Sequence, residues 1–181
     1  MRIFIAVEFN ENIKKYLQKI QSFVQQRSIR GNFTLFDNFH LTIKFIGEVK
    51  PMMLPEIYHA MEDAVAGVSE FTLYTGKLGS FSRGEKKIIW LGLQGNLDSL
   101  FKLNRQVEAE MIKRGFPRGD VKFLPHITLG REVVLQEQLE SLDHSIPYID
   151  NEIVVNRITL MESKRQDGRL VYAPIHSQAF I

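Results

Sequence analysis

The chain contains two copies of one four-residue pattern, His-apolar-Thr-apolar. The first copy is His40-Leu41-Thr42-Ile43 and the second is His126-Ile127-Thr128-Leu129. Alternate side chains of a β-strand point to the same side, so each histidine shares a face with the threonine two residues later. An imidazole has an unperturbed pKa near neutrality, and a pair of them can act as one acid and one base. The duplication therefore predicts a polar site that is built in two halves.

Phosphodiester hydrolysis is a reaction that this set of residues can serve. Attack at phosphorus requires a base for the nucleophile, an acid for the leaving oxygen and donors for the phosphoryl oxygens. His40 and His126 can provide the acid and the base, and the hydroxyls of Thr42 and Thr128 can donate to the phosphate. Arg131 follows Thr128 by three residues and can hold a non-bridging oxygen with a forked contact. We expect these five side chains to surround one phosphorus atom.

Two residues that follow the first threonine are further candidates. Lys44 shares strand parity with His40 and Thr42, so it is a second candidate cation for the substrate. A charge at the rim of the site is the favoured interpretation of Lys44, because lysine is rarely buried. Phe45 has the opposite parity, which favours packing in the core over stacking on a base.

Aromatic and basic residues between the two copies are also candidates for substrate contacts. Phe81 and Arg83 lie in a glycine- and serine-containing link, residues 79–85, which we interpret as an exposed loop. They can contact a base and a backbone phosphate, although loop residues are more often only solvated. Trp90 lies in an apolar strand, where packing in the core or at the edge of a cleft is expected.

Several other kinds of site have no support in the sequence. The chain has no cysteine, which excludes disulfides, thiolate nucleophiles and cysteine-based metal sites. It has no His-x-His or H-E-x-x-H pattern, and neither the G-x-S-x-G nor the phosphate-loop pattern. A 2′,3′-cyclic phosphate is a suitable substrate for an acid, a base and a few phosphate donors, because its strained ring already holds the leaving oxygen in place. The sequence therefore favours a reaction without a metal ion.

Length and composition limit the number of domains and the kinds of partner that the protein can have. The 181 residues fit one domain or two small lobes with a common core, and no segment is rich enough in Pro, Gly or Ser to separate independent domains. The formal charge of +2 is too small to argue for tight non-specific binding of nucleic acid. No apolar run is long enough to cross a membrane, and the first segment is too short for a secretory signal. We expect a cytoplasmic protein, with no membrane contact and no obligate protein partner indicated.

The periodicity of apolar residues predicts an α+β fold. Alternating or continuous apolar runs predict strands at residues 2–9, 40–49, 71–78, 86–93, 126–134, 153–162 and 170–175. Helical spacing predicts helices from 11 to about 28, from 51 to about 66, at 97–113 and, shorter, at 135–142. The last two strands resemble a hairpin that closes around Gln166-Asp167-Gly168. Each half of the chain carries one His-x-Thr strand, so two similar lobes that face each other across a cleft are expected.

The chain resembles the two-histidine (2H) phosphoesterase superfamily, and within it the bacterial and archaeal RNA 2′,3′-cyclic phosphodiesterases, also labelled 2′-5′ RNA ligases. The resemblance runs nearly end to end. It rests on four segments, which are Arg2-Ile3-Phe4-Ile5-Ala6-Val7, the ten residues 39–48 around the first motif, Phe123-Leu124-Pro125 with the second motif through Arg131, and the tail around 160–172.

The resemblance implies a fold of two pseudo-symmetric lobes of antiparallel sheet, with helices outside and both motifs in a central cleft. It implies hydrolysis of an RNA-terminal or nucleoside 2′,3′-cyclic phosphate to a 2′-phosphate, without metal or cofactor. By family analogy, His40 protonates the departing 3′ oxygen and His126 activates water, while Thr42, Thr128 and Arg131 hold the phosphate. The sequence alone leaves these two histidine roles interchangeable.

Two other functions fit parts of the same pattern. Reversible 2′-5′ RNA ligation would use the same two histidines, because joining is the reverse of cleavage to a cyclic phosphate. A non-catalytic module that binds RNA ends would need the cleft but not two proton-transfer groups, and a more basic surface would be expected for it. The duplicated histidine therefore favours the enzyme.

Overall fold

Two antiparallel sheets form the framework in the computed structural model, which describes residues 1–119 and 122–181. The first sheet has the strand order β3-β1-β8-β9 and contains β1 (Arg2–Glu8), β3 (His40–Glu48), β8 (Arg157–Gln166) and β9 (Arg169–Ala179). The second has the order β2-β6-β5-β4-β7 and contains β2 (Ser28–Phe33), β4 (Phe71–Arg83), β5 (Lys86–Gly95), β6 (Ile127–Leu135) and β7 (Glu152–Val155). The helices are α1 (Glu11–Gln26), α2 (Leu54–Val65), α3 (Leu97–Lys113) and α4 (Leu139–Ser145). The predicted α+β class is confirmed.

The two long helices form where capping and periodicity predict them. The side chain of Asn10 accepts a hydrogen bond from the N–H of Ile13 (3.0 Å), and Asn96 accepts one from the N–H of Ser99 (3.1 Å). Each helix then buries an apolar stripe against the sheets, namely Ile13, Leu17, Ile20 and Val24 in α1 and Leu100, Leu103, Val107 and Met111 in α3. The two helices thereby cover the core faces of the strands.

The two halves of the chain are interleaved in both sheets. Strand β3, which carries the first motif, lies in a sheet completed by β8 and β9 from the C-terminal half. Strand β6, which carries the second motif, pairs on one edge with β2 from the N-terminal half. Neither sheet can therefore be completed by one half of the chain alone.

Four predictions of local structure were wrong. Residues 28–33 form β2, a polar edge strand without clear alternation, where only the end of a helix was expected. Residues 79–83 continue β4, so the expected loop is a long hairpin with a turn at Gly84-Glu85. Residues 153–162 form parts of two strands, β7 and β8, in different sheets. The short helix begins at Leu139 instead of residue 135.

The closing hairpin has the predicted turn. Strands β8 and β9 pair from Gln166 and Arg169 outward, and both Asp167 (φ 50) and Gly168 (φ 77) adopt positive φ angles. That combination is typical of the two-residue turn that matches the twist of antiparallel strands. No helix in the described parts of the chain is long and apolar enough to cross a membrane.

Candidate active site

His40 is held in one orientation by its own strand and its neighbours. Its Nδ1–H donates to the carbonyl of Asn38 (2.7 Å), and its Nε2 shares a hydrogen bond with the hydroxyl of Thr42 (2.9 Å). The rings of Phe4 and Tyr172 lie 4.9 and 5.1 Å from the imidazole. The carbonyl fixes the tautomer, so Nε2 is the atom left for chemistry.

The side chain of Asn38 fixes the position of the carbonyl that binds His40. Its buried side chain donates to the carbonyl of Leu170 (2.7 Å) and accepts from the N–H of Tyr172 (3.1 Å), both on β9. The carbonyl that orients His40 is therefore tied to the strand that also supplies the Tyr172 ring. Sequence reasoning missed Asn38 and Tyr172, and the signal in the sequence was an Asn two residues before the first histidine.

His126 repeats the arrangement in the second sheet. Its Nδ1–H donates to the carbonyl of Leu124 (2.7 Å), again two residues upstream. The rings of Phe81 and Trp90 lie 5.1 and 6.0 Å away. The Trp90 indole lies directly over Gly79, where a Cβ atom would come within 2.1 Å of the ring. Glycine at position 79 is therefore a steric requirement of this aromatic wall.

A bulge follows the threonine in each motif strand. In β3, Thr42 lies opposite Ala6 but Lys44 lies opposite Ile5, so one extra residue interrupts the alternation. In β6, Leu129 and Gly130 are both buried in succession and Arg131 is exposed. The bulge thus returns the fifth residue after each histidine to the face of the histidine.

A buried helix amide holds the carbonyl at each bulge. Asn104 of α3 donates to the carbonyl of Ile43 (2.9 Å). Gln21 of α1 donates to the carbonyl of Leu129 (2.8 Å) and to that of Thr34 (2.8 Å). Each helix comes from the half of the chain that does not contain the bulge it holds, so the interleaving of the halves extends to the site.

Arg131 acts electrostatically on both histidines. Burial is the main cause that lowers the pKa of His40, and the positive charges of Arg131 and His126 lower it further against the opposing bond to Asn38. Burial and then Arg131 likewise lower the pKa of His126, against the opposing bond to the Leu124 carbonyl. Arg131 is exposed and has no hydrogen bond or ion pair with the described residues. The pKa of His40 is thus lowered by both His126 and Arg131, and that of His126 by Arg131, which has no acidic partner among those residues.

Lys44 and Phe45 exchange the positions that strand parity predicted for them. Lys44 is only 4% exposed, and its ammonium binds both carboxylate oxygens of Glu108 (2.9 Å each) and the carbonyl of Pro117 (3.2 Å). Phe45 is 51% exposed. The predictions of Lys44 as a rim or substrate cation and of Phe45 as a core residue were wrong, because the bulge at Ile43 reverses the alternation.

The other two candidates lie on the β4–β5 hairpin. Phe81 is a half-buried strand residue beside His126, and not a loop residue. Arg83 is exposed at the end of the hairpin, opposite Lys86. Within the described ranges, no group of three or more His, Cys, Asp or Glu residues is placed to hold a metal ion.

Comparison with known proteins identifies the family. The model of the family described as LigT like Phosphoesterase matches residues 7–90 and again residues 91–172, one match for each motif copy. The chain belongs to this family. The double match agrees with two related halves, each of which contributes one His-x-Thr strand to this LigT-like phosphoesterase.

Three curated relatives share one name. The RNA 2′,3′-cyclic phosphodiesterase of Thermotoga maritima is 30% identical over 99% of this chain and 96% of its own length. Proteins of the same name from Escherichia coli and Methanocaldococcus jannaschii are 28% and 26% identical, over 96% and 97% of this chain and 93% and 98% of theirs.

Solved structures share the fold at lower identity. The structure of TT0787 from Thermus thermophilus has a TM-score of 0.80 at 21% identity, covering 99% of this chain and 98% of that one. The structure of E. coli LigT complexed with 3′-AMP has a TM-score of 0.79 at 22% identity, covering 99% and 97%. The LigT-like phosphoesterase fold therefore extends over the whole chain.

Proposed function

We propose that this LigT-like phosphoesterase hydrolyses the 2′,3′-cyclic phosphate of an RNA end or a nucleoside to a 2′-phosphate. One observation carries the proposal. Two imidazoles each have Nδ1–H bound to a carbonyl two residues upstream, which leaves Nε2 for the reaction, and the charge of Arg131 lowers the pKa of both. The name shared by the curated relatives supports the same substrate class.

The proposed step is a single displacement at phosphorus. His126 accepts a proton through Nε2 from a water molecule as the water oxygen attacks phosphorus. The bond from phosphorus to O3′ breaks, and His40 donates the Nε2 proton to the departing oxygen. The product carries a 2′-phosphate and a free 3′-hydroxyl. His40 and His126 end the step with exchanged protonation states, which solvent restores.

The remaining residues stabilise the charge that develops on phosphorus. We assign Thr42 and Thr128 as hydroxyl donors and Arg131 as the cation on a non-bridging oxygen. The ring strain of the substrate lowers the demand on the catalyst, so we propose that neither a metal ion nor a cofactor takes part. Phe81 lies beside His126 and is assigned to the wall against which the substrate rests.

The decisive experiment offers the purified protein a nucleoside 2′,3′-cyclic phosphate in excess chelator and identifies the product. We expect a 2′-phosphate, and we expect His40→Ala and His126→Ala to lower kcat by about 100- to 10,000-fold. His59→Ala is the matched control, because His59 is an exposed histidine on α2. Full activity in either catalytic variant, or activity that appears only with added metal, would contradict the proposal.

A second substrate separates the acid from the base. Sulfur in place of the bridging O3′ leaves without protonation, so the acid becomes dispensable while the base does not. We expect the sulfur substrate to restore hydrolysis in His40→Ala but not in His126→Ala. The opposite result would exchange the two roles. Joined 2′-5′ product from a cyclic-phosphate end and an RNA 5′-hydroxyl end would identify the ligase reaction, and binding without turnover would identify a binding module.

A further inference from the structure

Phe45 lies on the face of β3 that carries His40, although regular strand alternation from His40 would place it on the opposite, core face. It lies directly opposite Phe4 on β1, and residues opposite each other in an antiparallel pair point to the same face. Phe4 contacts the His40 ring from that face. Phe45 therefore belongs to the surface that carries His40 and Thr42. About half of its side chain is exposed.

A guanidinium stacks on the Phe45 ring. The Cζ of Arg2 lies 5.1 Å from the ring centroid. Arg2 is exposed on β1, two residues before Phe4, and is not paired with any carboxylate among the described residues. Its neighbour across the strand, Glu48, instead pairs with the amino terminus (3.4 Å). An aromatic surface and a positive charge without a carboxylate partner thus lie side by side.

The position of Phe45 relates it to the phosphate site. Phe45 is the fifth residue after His40, just as Arg131 is the fifth residue after His126, and each follows a bulge. It occupies the next position beyond Thr42 on the same face, roughly 7 Å further along the strand. The rings nearest the histidines are those of Phe4, Tyr172, Phe81 and Trp90. Phe45 is not among these four rings, so it offers a separate aromatic surface on the face of His40.

We propose that Phe45 and Arg2 form a subsite for the second nucleotide of an RNA strand whose cyclic phosphate lies between the histidines. Phe45 stacks on the base of the penultimate nucleotide, and Arg2 meets the phosphate that joins it to the last one. Stacking on an aromatic side chain tolerates any base, and arginine adds both charge and a planar surface. The proposal rests on the proposed function and adds a preference for RNA ends over free nucleotides.

The test compares three substrates that share one terminal nucleotide. They are the nucleoside 2′,3′-cyclic phosphate, a dinucleotide that ends in it, and the same dinucleotide with an abasic penultimate position. The wild-type protein should show the lowest KM for the intact dinucleotide. Phe45→Ala should raise that KM about tenfold with kcat unchanged, and should leave the KM of the mononucleotide unaltered.

Three further variants test the chemistry of the subsite. Phe45→Trp should retain the preference for the intact dinucleotide because it keeps an aromatic face. Arg2→Met should raise KM for both dinucleotides, with or without the base, because it removes a phosphate contact. Tyr74→Ala is the matched control, since Tyr74 is also an exposed aromatic residue, near the opposite end of β4 from Phe81. Its kinetics should equal those of the wild type.

The outcomes separate this inference from the catalytic proposal. Turnover of the mononucleotide reports the catalytic proposal alone. Equal KM values for the intact and abasic dinucleotides, or an equal effect of Phe45→Ala on mononucleotide and dinucleotide, would overturn the subsite. If neither the wild type nor the variants turn over substrate, their affinities for a dinucleotide 2′-phosphate, measured by calorimetry, test the subsite instead. About tenfold weaker binding by Phe45→Ala supports the subsite, and equal binding overturns it.

Discussion

The first and second motif strands use the same supports but present different side chains. In both, a carbonyl two residues upstream holds the histidine Nδ1, a bulge follows the threonine, and a buried helix amide holds the bulge carbonyl. The fifth residue after the histidine is Phe45 in one strand and Arg131 in the other. The common supports hold the two histidines in equivalent ways, while the differing residues make the two strands chemically unequal.

The position before that fifth residue also differs. Lys44 extends into the core and pairs with Glu108, whereas the corresponding Gly130 lies against Val133 and Phe33, where a Cβ atom would come within 2.9 Å of Val133. The ion pair also reaches the chain ahead of the second motif, because Lys44 binds the Pro117 carbonyl and Glu108 accepts from the N–H of Gly119 (3.3 Å). The first copy is therefore anchored by charge and the second by close packing.

Arg131 gives the second motif strand a positive charge that the first strand lacks. Its removal should have the largest effect. Arg131→Met should lower kcat for the nucleoside cyclic phosphate by about 100- to 1,000-fold, because a preorganised donor to the phosphoryl oxygens is lost. Arg131→Lys should recover part of the loss, since the charge remains but the forked contact does not. Steady-state kinetics check both variants. Arg157→Met, at an exposed position on β8, is the control. A decrease in kcat of less than threefold in Arg131→Met would show that Arg131 does not take part in the reaction.

The buried ion pair of the first copy should dominate stability. Lys44→Met leaves the Glu108 carboxylate, which is largely buried, without its cation, so we expect a loss of about 3 kcal/mol in the free energy of unfolding. Urea titration measures it. The double variant Lys44→Met/Glu108→Leu should regain most of the loss. Lys86→Met breaks the exposed pair with Glu132 and should cost less than about 1 kcal/mol. Equal losses in the two single variants would mean that burial does not matter here.

The comparison also explains what the sequence could predict. The helices α1 and α3 and the faces of both His-x-Thr pairs follow from local periodicity, because each lies within one regular element. The inverted positions of Lys44 and Phe45 could not be predicted from β3 alone. They depend on the register with β1 and on the amide of Asn104, which is 61 residues away in the chain.

Two missed features had weaker signals. Strand β2 has a polar sequence because it is an edge strand with exposed side chains, yet its Asn32 pairs with Arg131 in the register. Gln21 and Asn104 are polar residues within the buried face of an otherwise apolar helix stripe. A polar residue on such a face requires a hydrogen-bond partner. The sequence therefore indicates that a buried acceptor exists but does not identify it.

The two bulge amides should differ in their effect on activity. Gln21→Ala removes the donor to the carbonyl of Leu129, on the strand that leads to Arg131, and to the carbonyl of Thr34, which follows β2. We therefore expect a loss of about 1–3 kcal/mol in stability and a clear decrease in kcat. Asn104→Ala removes one donor, to the strand that leads to Phe45, and should destabilise the protein without lowering kcat for a mononucleotide. Urea titration and kinetics measure the two effects. Gln18→Ala, at an exposed position of α1, is the control, and an unchanged kcat in Gln21→Ala would separate the bulge from Arg131.

The smallest expected effect is a shift in the pH dependence of kcat/KM and in the pH at which the two histidines titrate. Activity rises with pH as the base, His126, loses its proton, and it falls as the acid, His40, loses its own. Because burial and the charge of Arg131 lower both pKa values below 6.5, the bell-shaped profile of kcat/KM should have its maximum on the acidic side of that value. Arg131→Met removes one of the lowering charges, so both histidines should titrate at higher pH. Nuclear magnetic resonance of the free protein measures the two imidazoles directly. A shift of only one histidine would mean that Arg131 serves one side of the cleft, and the proposed grip of three groups on one phosphate would then fail.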